Sequence, residues 1–387
     1  MTRVIHTGDT HLGYQQYHRP ERRQDFLDAF RRVADDAVAD GVDAVVHAGD
    51  LFHDRQPTLP DILGALSVLR TLDDAGIPFL AVVGNHETKR DAQWLDLFES
   101  LGLATRLGSA PVTVDDTAFY GLDFVPRAKR DSLAYDFQSH DADAAALVSH
   151  GLFDPFPHGD WDLRAVLAAS DVAFDAVLLG DDHTPQTKQL TEPHDAWATY
   201  CGSTERASAS ERDERGYNLV SFGDTVDIRR RGITTREFVF VDIALGEGED
   251  VERVRERIGQ YDLDDAVVIV TIEGDGEPIA PATVEQYADE QGALLARVTD
   301  HRELTPETET DVSFADPDEA VRERIRELGL SEAARDIDDT IRASKVADSN
   351  VADAVEEHVA DLVADGTDTE QSASDAGDGQ LSMGDYS

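Results

Sequence analysis

At 387 residues the chain is long enough for two or three domains around a large buried core. Its single cysteine, Cys201, excludes a disulfide framework and a thiolate metal site and suits a reducing cytoplasm, and no apolar run approaches the roughly 18 residues of a membrane span. The formal charge of −46 is spread along every segment, with only four lysines (Lys89, Lys129, Lys188, Lys345). Such a spread points to a concentrated-salt cytoplasm, where self-repulsion is screened; an acidic surface for a basic partner is the alternative and normally forms a patch.

In chain order, strand-like 3–7 leads to a helix around Arg22–Asp40, then strand 43–47, helix 60–75, strand 78–83 and helix 91–101. A strand-like segment begins almost at Met1, so no secretory leader is expected. Further strands are expected at 117–122, 145–149, 174–179, 197–201, 217–222 and 225–230, which makes 1–235 an α/β layered domain with a second sheet packed on the first. Residues 236–305 read as a small α+β unit, with strand-like 237–241, an Arg/Glu-rich helix at about 249–259, strand 266–270, a helix opened by Pro281 and a strand at 293–298. A polar linker and helices fill 306–365: Asp316 and Pro317 supply a cap and a first helical residue, Val321, Ile325 and Leu328 form one stripe, and Val351, Val355, Val359 and Leu362 form another. Residues 366–387, without Lys or Arg, are expected to be a disordered acidic tail.

Five motifs built on Asp, His or Asn sit at expected strand ends: Thr7-Gly8-Asp9-Thr10-His11, Ala48-Gly49-Asp50, Gly84-Asn85-His86-Glu87, Ser149-His150-Gly151 and Gly180-Asp181-Asp182-His183. Any one histidine among them would more often serve structure; five clusters at strand-to-loop junctions converge on one sheet edge. His6 and His47 lie inside strands and read as core residues; His18, His140, His158, His194, His301 and His358 lack motif context and read as surface.

The set resembles the calcineurin-like metallophosphoesterases, whose signature is DxH, GD, GNH[E/D], a lone His and GHxH, and whose fold is a β-sandwich flanked by helices. The flanks Leu12-Gly13-Tyr14 followed by Arg22 to Phe26, Leu51-Phe52-His53-Asp54-Arg55-Gln56-Pro57 and Tyr200-Cys201-Gly202-Ser203-Thr204-Glu205-Arg206 are similar to the nuclease branch, the meiotic-recombination-eleven/SbcD family of double-strand-break repair nucleases. That resemblance implies two Mn(II) ions per subunit, with Mg(II) as the alternative. Asp50 would bridge the ions; Asp9, His11 and His183 would complete one, and Asn85, His150 and Asp181 the other. A hydroxide held between the ions would attack the phosphodiester, His86 would protonate the leaving oxygen, and His53 would orient the substrate. Asp181 stands where the family has His; it is read as a harder ligand, with Asp182 the alternative after a loop shift.

The resemblance further implies a 3′-to-5′ exonuclease on duplex DNA and an endonuclease on single strands, with 236–305 capping the site and contacting DNA. It implies a homodimer through helices at about 60–73 and 91–101, for which Leu63, Leu66, Leu69, Leu95 and Phe98 are apolar candidates, though each equally fits a core. The helices after 306 would dock on an SMC-like ATPase of the Rad-fifty/SbcC type, or else form a bundle of their own. Gln380, Met383 and Tyr386 resemble a sliding-clamp-binding peptide, with Ser387 in place of its second aromatic. The expected location is a high-salt, nucleoid-associated cytoplasm. Two other classes stay open: another phosphoesterase, acting on phosphoproteins or small nucleotides, and a non-catalytic repair scaffold, which loss of the histidine at Asp181 would allow.

Overall fold

Strands buried on both faces read as near-continuous apolar runs, and Val4-Ile5, Ala44 to Val46 and Phe79 to Ala81 do so in the first strands of this chain. The computed structural model describes residues 1–89, 92–130 and 132–302; the helices expected within 316–364 and the tail from 366 lie outside the described residues. The chain opens with β1 (Thr2–Thr7), α1 (Pro20–Asp40), β2 (Ala44–His47), α2 (Leu59–Asp74), β3 (Phe79–Ala81), α3 (Trp94–Ser100) and β4 (Thr105–Arg106). Next come β5 (Val112–Val114), β6 (Thr117–Leu122), α4 (Arg127–Arg130), β7 (Ala144–His150), β8 (Phe153–Asp154), β9 (Trp161–Asp162), α5 (Leu163–Ala169), β10 (Ala176–Gly180), β11 (Gln186–Leu190) and β12 (Ala196–Tyr200). After β13 (Gly216–Phe222) and β14 (Val226–Gly232) the smaller unit follows: β15 (Phe238–Leu245), α6 (Val251–Ile258), β16 (Val267–Gly274), α7 (Pro281–Glu290) and β17 (Leu295–Asp300).

Two six-stranded sheets, ordered β14-β13-β1-β2-β3-β4 and β11-β12-β10-β7-β6-β5, pack face to face. In the first, β1 to β4 run parallel; in the second, β12, β10, β7 and β6 do. Val4, Val46, Leu80 and Val82 meet Phe119, Ala146, Val148 and Leu178 between the sheets. Their neighbours Ile5, Val45, Phe79 and Ala81 face outward onto α1–α3, against Phe30, Val33, Leu69 and Phe98. On the other side Leu147, Val177 and Leu179 pack with Leu163, Val166 and Leu167 of α5. A one-residue register slip would exchange the two faces, and each side chain so buried contributes about 1.5–3 kcal/mol, so the strand ends are held firmly in place.

Local signals set the helix bounds. Pro20 opens α1 and Gly41, at φ 58°, closes it; Thr58 and Asp61 form a capping box at α2. Segments the sequence did not announce are short or polar: α5 has seven residues, and β11 is an edge strand of Gln, Thr, Lys, Gln and Leu. Of the proposed dimer residues, Leu69, Leu95 and Phe98 are core and unavailable to a partner. Leu63 is 55% exposed, and Leu59, Leu97 and Leu101 are exposed as well. Among the described residues no helix is long and apolar enough to cross a membrane.

The smaller unit is a parallel sheet, β15-β16-β17, with α6 and α7 covering one face through Val241, Val254, Ile258, Val268 and Val284. Its other face brings Phe238, Val267, Ile269 and Leu295 against Tyr17 and Ala209 of the sandwich domain.

Candidate metal centre

Every motif residue lies at or just past the carboxyl end of a parallel strand: Asp9 and His11 after β1, Asp50 after β2, Asn85 and His86 after β3, His150 at the end of β7, and Asp181 and His183 after β10. In α/β sheets that edge is where ligands bind. The chain turns sharply there: Asp9, His11, Asp50 and Asp181 have φ of 49°, 42°, 56° and 94°. Left-handed backbone at non-glycine residues costs on the order of 1–3 kcal/mol each and persists where packing enforces it. Gly84 is required for a different reason, because a Cβ there would collide with the Asp50 carboxylate.

The side chains converge. Asp9, His11 and His183 form one group of candidate ligands, and Asp9, Asp50 and His150 another, with ligand atoms of each group within 4.8 Å of one another. Asp50 Oδ2 lies 3.8 Å from His11 Nε2, 3.6 Å from His150 Nε2 and 4.0 Å from His86 Nε2. Asn85 Oδ1 is 3.0 Å and Asp181 Oδ1 3.7 Å from His150 Nε2. By contrast, the Asp182 carboxylate is occupied by the Thr184 amide at 2.9 Å and Gln186 Nε2 at 2.7 Å.

At His150, His86 and His183 the Nδ1 atom is engaged. His150 Nδ1 donates to the Ala48 carbonyl at 2.7 Å, His86 Nδ1 to the His53 carbonyl at 2.8 Å, and His183 Nδ1 to Glu211 Oε1 at 2.8 Å. Each Nε2 then turns into the centre. His11 Nε2 and His183 Nε2 stand 3.1 Å apart, and two lone pairs at that distance need a proton or a cation between them. His11 Nδ1 is buried without a hydrogen-bond partner among the described residues.

Electrostatics point the same way. Burial, reinforced by Asp182 and Glu211 against the opposing pull of His183, pushes the Asp9 carboxyl up to about 6. Burial and the neighbouring Asp9 and Glu87 raise Asp50 well above the usual carboxylate range. His150 falls to about 3 through burial, while at His183 the Glu211 hydrogen bond and charge, with Asp9 and Asp181, overcome burial and raise it to about 9. Carboxylate oxygens, a neutral amide oxygen and imidazole nitrogens are a donor set for hard to borderline divalent cations, so these residues fit a divalent metal centre.

His53 and His86 join a third group with His11, and the His53 ring stacks on Tyr14 with centroids 4.0 Å apart. His6 and His47 are buried within their strands, as their position in the sequence indicates. His194, expected at the surface, is half-buried with Nε2 3.1 Å from the Phe174 amide. Two further acids escaped sequence reasoning. Glu87 accepts from the Leu51, Phe52 and Gly84 amides at 3.2, 3.2 and 3.4 Å, lashing the Asp50 and Asn85 loops together; its place in the Gly84–Glu87 motif was the available signal. Glu211 lies in a polar loop with no signal.

Sandwich and site together define a calcineurin-like phosphoesterase, and residues 2–185 match the model of that family. The chain is 65% identical over 371 residues to the DNA double-strand break repair protein Mre11 of Haloferax volcanii, an alignment covering 95% of this chain and 83% of that one. It is 62% identical to the Mre11 of Halobacterium salinarum, covering 92% of this chain and 93% of that one. To the Mre11 of Methanosarcina acetivorans it is 42% identical, over 93% of this chain and 61% of that one. The chain belongs to the Mre11 family, and it is a metal-dependent nuclease, a phosphoric diester hydrolase.

Proposed function

We propose that the centre holds two Mn(II) ions, with Mg(II) as a substitute, and cuts DNA as a 3′-to-5′ exonuclease on duplex ends and an endonuclease on single strands. The observation that carries this reading is the pair of buried carboxylates, Asp9 and Asp50, at an edge where no Lys or Arg of the described residues pairs with them. Asp9, His11 and His183 would hold one ion, Asn85, His150 and Asp181 the other, with Asp50 shared; the engagement of Asp182 in its own turn favours Asp181. When bound, the ions supply Lewis acidity at phosphorus and a water that ionises near neutral pH.

The chain's own groups do the rest. His86, anchored at Nδ1, offers Nε2 as the proton donor to the leaving alkoxide, a contribution of about 10²–10⁴ in rate. Burial lowers its pKa, so the incoming phosphodiester must supply the negative charge that keeps it protonated. His53, held by Tyr14, orients the phosphodiester. Digestion of linear duplex DNA with Mn(II) in molar KCl tests the reading: wild type cuts, and His86→Ser binds metal and DNA but does not. Equal cleavage by both would contradict it.

The partners follow the same reading. Residues 236–305 cap the nuclease domain of 1–235 and contact DNA. A homodimer forms through the exposed Leu59 and Leu63 of α2, Leu97 of α3 and Leu101 just after it. Residues 306–365, where the sequence predicts helices, bind an SMC-like ATPase of the Rad-fifty/SbcC type, so deletion of 316–387 should abolish co-purification and spare exonuclease activity. Gln380, Met383 and Tyr386 of the 366–387 tail engage a sliding clamp weakly, which titration of a 376–387 peptide tests. The charge of −46 suits a high-salt cytoplasm, and action on DNA would place the protein at the nucleoid.

A further inference from the structure

The loop from Ser203 to Arg215 carries Glu211, a carboxylate only 10% exposed. Its Oε1 accepts from His183 Nδ1 at 2.8 Å. Its Oε2 accepts from Ser203 Oγ, the Ala207 amide and Arg215 Nη1, each at 3.1 Å. Arg215, itself buried, also donates Nη1 to the His183 carbonyl at 3.2 Å, so ring and backbone of His183 are gripped together. The loop reaches in the other direction as well. Arg206 donates Nε to the Glu211 carbonyl at 3.0 Å and lies 5.3 Å from the Phe238 ring centroid. Arg212, the next residue after Glu211, makes a two-pronged pair with Asp242 on β15 at 2.6 and 2.7 Å and lies 4.9 Å from the Phe240 ring centroid.

We propose that Glu211 is a positioning residue for His183, fixing the ring with Nε2 toward Asp9 and His11, and that the Arg212–Asp242 pair makes the seating of the cap part of that grip. This rests on the reading of His183 as a metal ligand. An imidazole whose Nδ1–H is held by a carboxylate is a stronger donor at Nε2 and cannot rotate away; loss of such an outer partner typically weakens metal binding about 10–100-fold. Nothing else among the described residues is seen to accept from His183 Nδ1, so truncation removes the ring's anchor. A loop that merely braces the fold would show the opposite pattern, with stability lost and metal affinity kept.

Equilibrium dialysis of the full-length chain against Mn(II), with urea unfolding of the metal-free protein alongside, separates these cases. Wild type should bind two ions. Glu211→Ala should keep one at wild-type affinity and bind the other about 10–100-fold more weakly. Glu211→Gln retains an acceptor for Nδ1–H but turns a donor toward Arg215, so its affinity should fall between the two. Asp242→Ala should weaken the same ion by a smaller factor and leave the other unchanged. Wild-type affinities in Glu211→Ala would overturn the assignment; should that variant fail to fold, wild-type affinities in Glu211→Gln do so. Unchanged binding in Asp242→Ala would remove the cap from it. A wild-type chain that binds no Mn(II) overturns the metal reading itself, a result distinct from any of these.

Discussion

Beside β15, Arg22 is fully buried, and its guanidinium reaches Gln16 Oε1 at 3.0 Å, Asp25 at 2.6 Å, the Arg206 carbonyl at 2.9 Å and Glu205 at 3.2 Å. Arg236 grips the same Asp25 with two N–H groups at 2.6 and 2.9 Å. At the sheet edge, Asp9 and Asp50 are as deeply buried, yet their charged neighbours are imidazoles and other acids. Burying a lone charge costs several kcal/mol unless a partner offsets it. The seam neutralises its charge with the chain's own arginines and so joins two parts of the fold. The edge leaves negative charge for a divalent cation to neutralise and so becomes a site.

Breaking one partner should therefore have opposite consequences in the two places. Asp25→Ala takes a shared carboxylate from two guanidinium groups, leaving Arg22 with Glu205 and Arg236 with Asp265, and should cost about 1.5–3 kcal/mol in urea unfolding. A loss below 1 kcal/mol would show that the seam is not held by these charges. In the centre, His86→Ser should lower the cleavage rate by about 10²–10⁴ while the Mn(II) stoichiometry stays at the wild-type value. Loss of both rate and metal would make His86 a ligand instead.

A pH series sharpens the comparison. The Asp9 carboxyl is raised from 3.8 to about 6, so the metal-free fold holds that proton more tightly than the unfolded chain. Its contribution favours folding below 3.8 and is lost as pH rises through about 6. A cation needs the ionised form, so Mn(II) should raise the thermal midpoint strongly at pH 7.5 and progressively less below about 6. A shift that is the same at pH 5 and pH 7.5 would contradict the assignment. Salt should act on neither buried region but on the exposed acids: the Debye length drops from about 10 Å at 0.1 M to about 3 Å at 1 M, and the midpoint should rise across that range.

The alternation of sheets and helices was legible because strands covered on both faces leave continuous apolar runs such as Phe79 to Val83. The centre was legible because each candidate ligand sits beside a turn at a strand end, and those turns impose glycine and short polar residues that read as motifs. Neither signal gives the pairings in the seam. Arg22 and Glu205-Arg206 fall in segments that resemble the nuclease branch, but a resemblance does not say which residues meet, and Glu211 follows Ser208-Ala209-Ser210 in a loop without periodicity. Their roles come from contacts across 184 positions of chain, as between Arg22 and Arg206, which no local pattern encodes. Leu69, Leu95 and Phe98 mark the same limit: an apolar helix residue looks alike whether it serves a core or a partner.

The measurement that tests most directly whether the edge is built around missing positive charge is thermal unfolding of wild type and Asp50→Asn at pH 7.5 in molar KCl, each after chelation and after addition of Mn(II). Asn keeps the shape of Asp50 and an acceptor for the His86 amide, which bonds Oδ1 at 3.0 Å, while removing the buried charge. Chelated Asp50→Asn should be at least as stable as chelated wild type, and Mn(II) should raise the wild-type midpoint while leaving that of the variant nearly unmoved. A chelated variant markedly less stable than wild type, or two proteins that respond equally to Mn(II), would contradict the account.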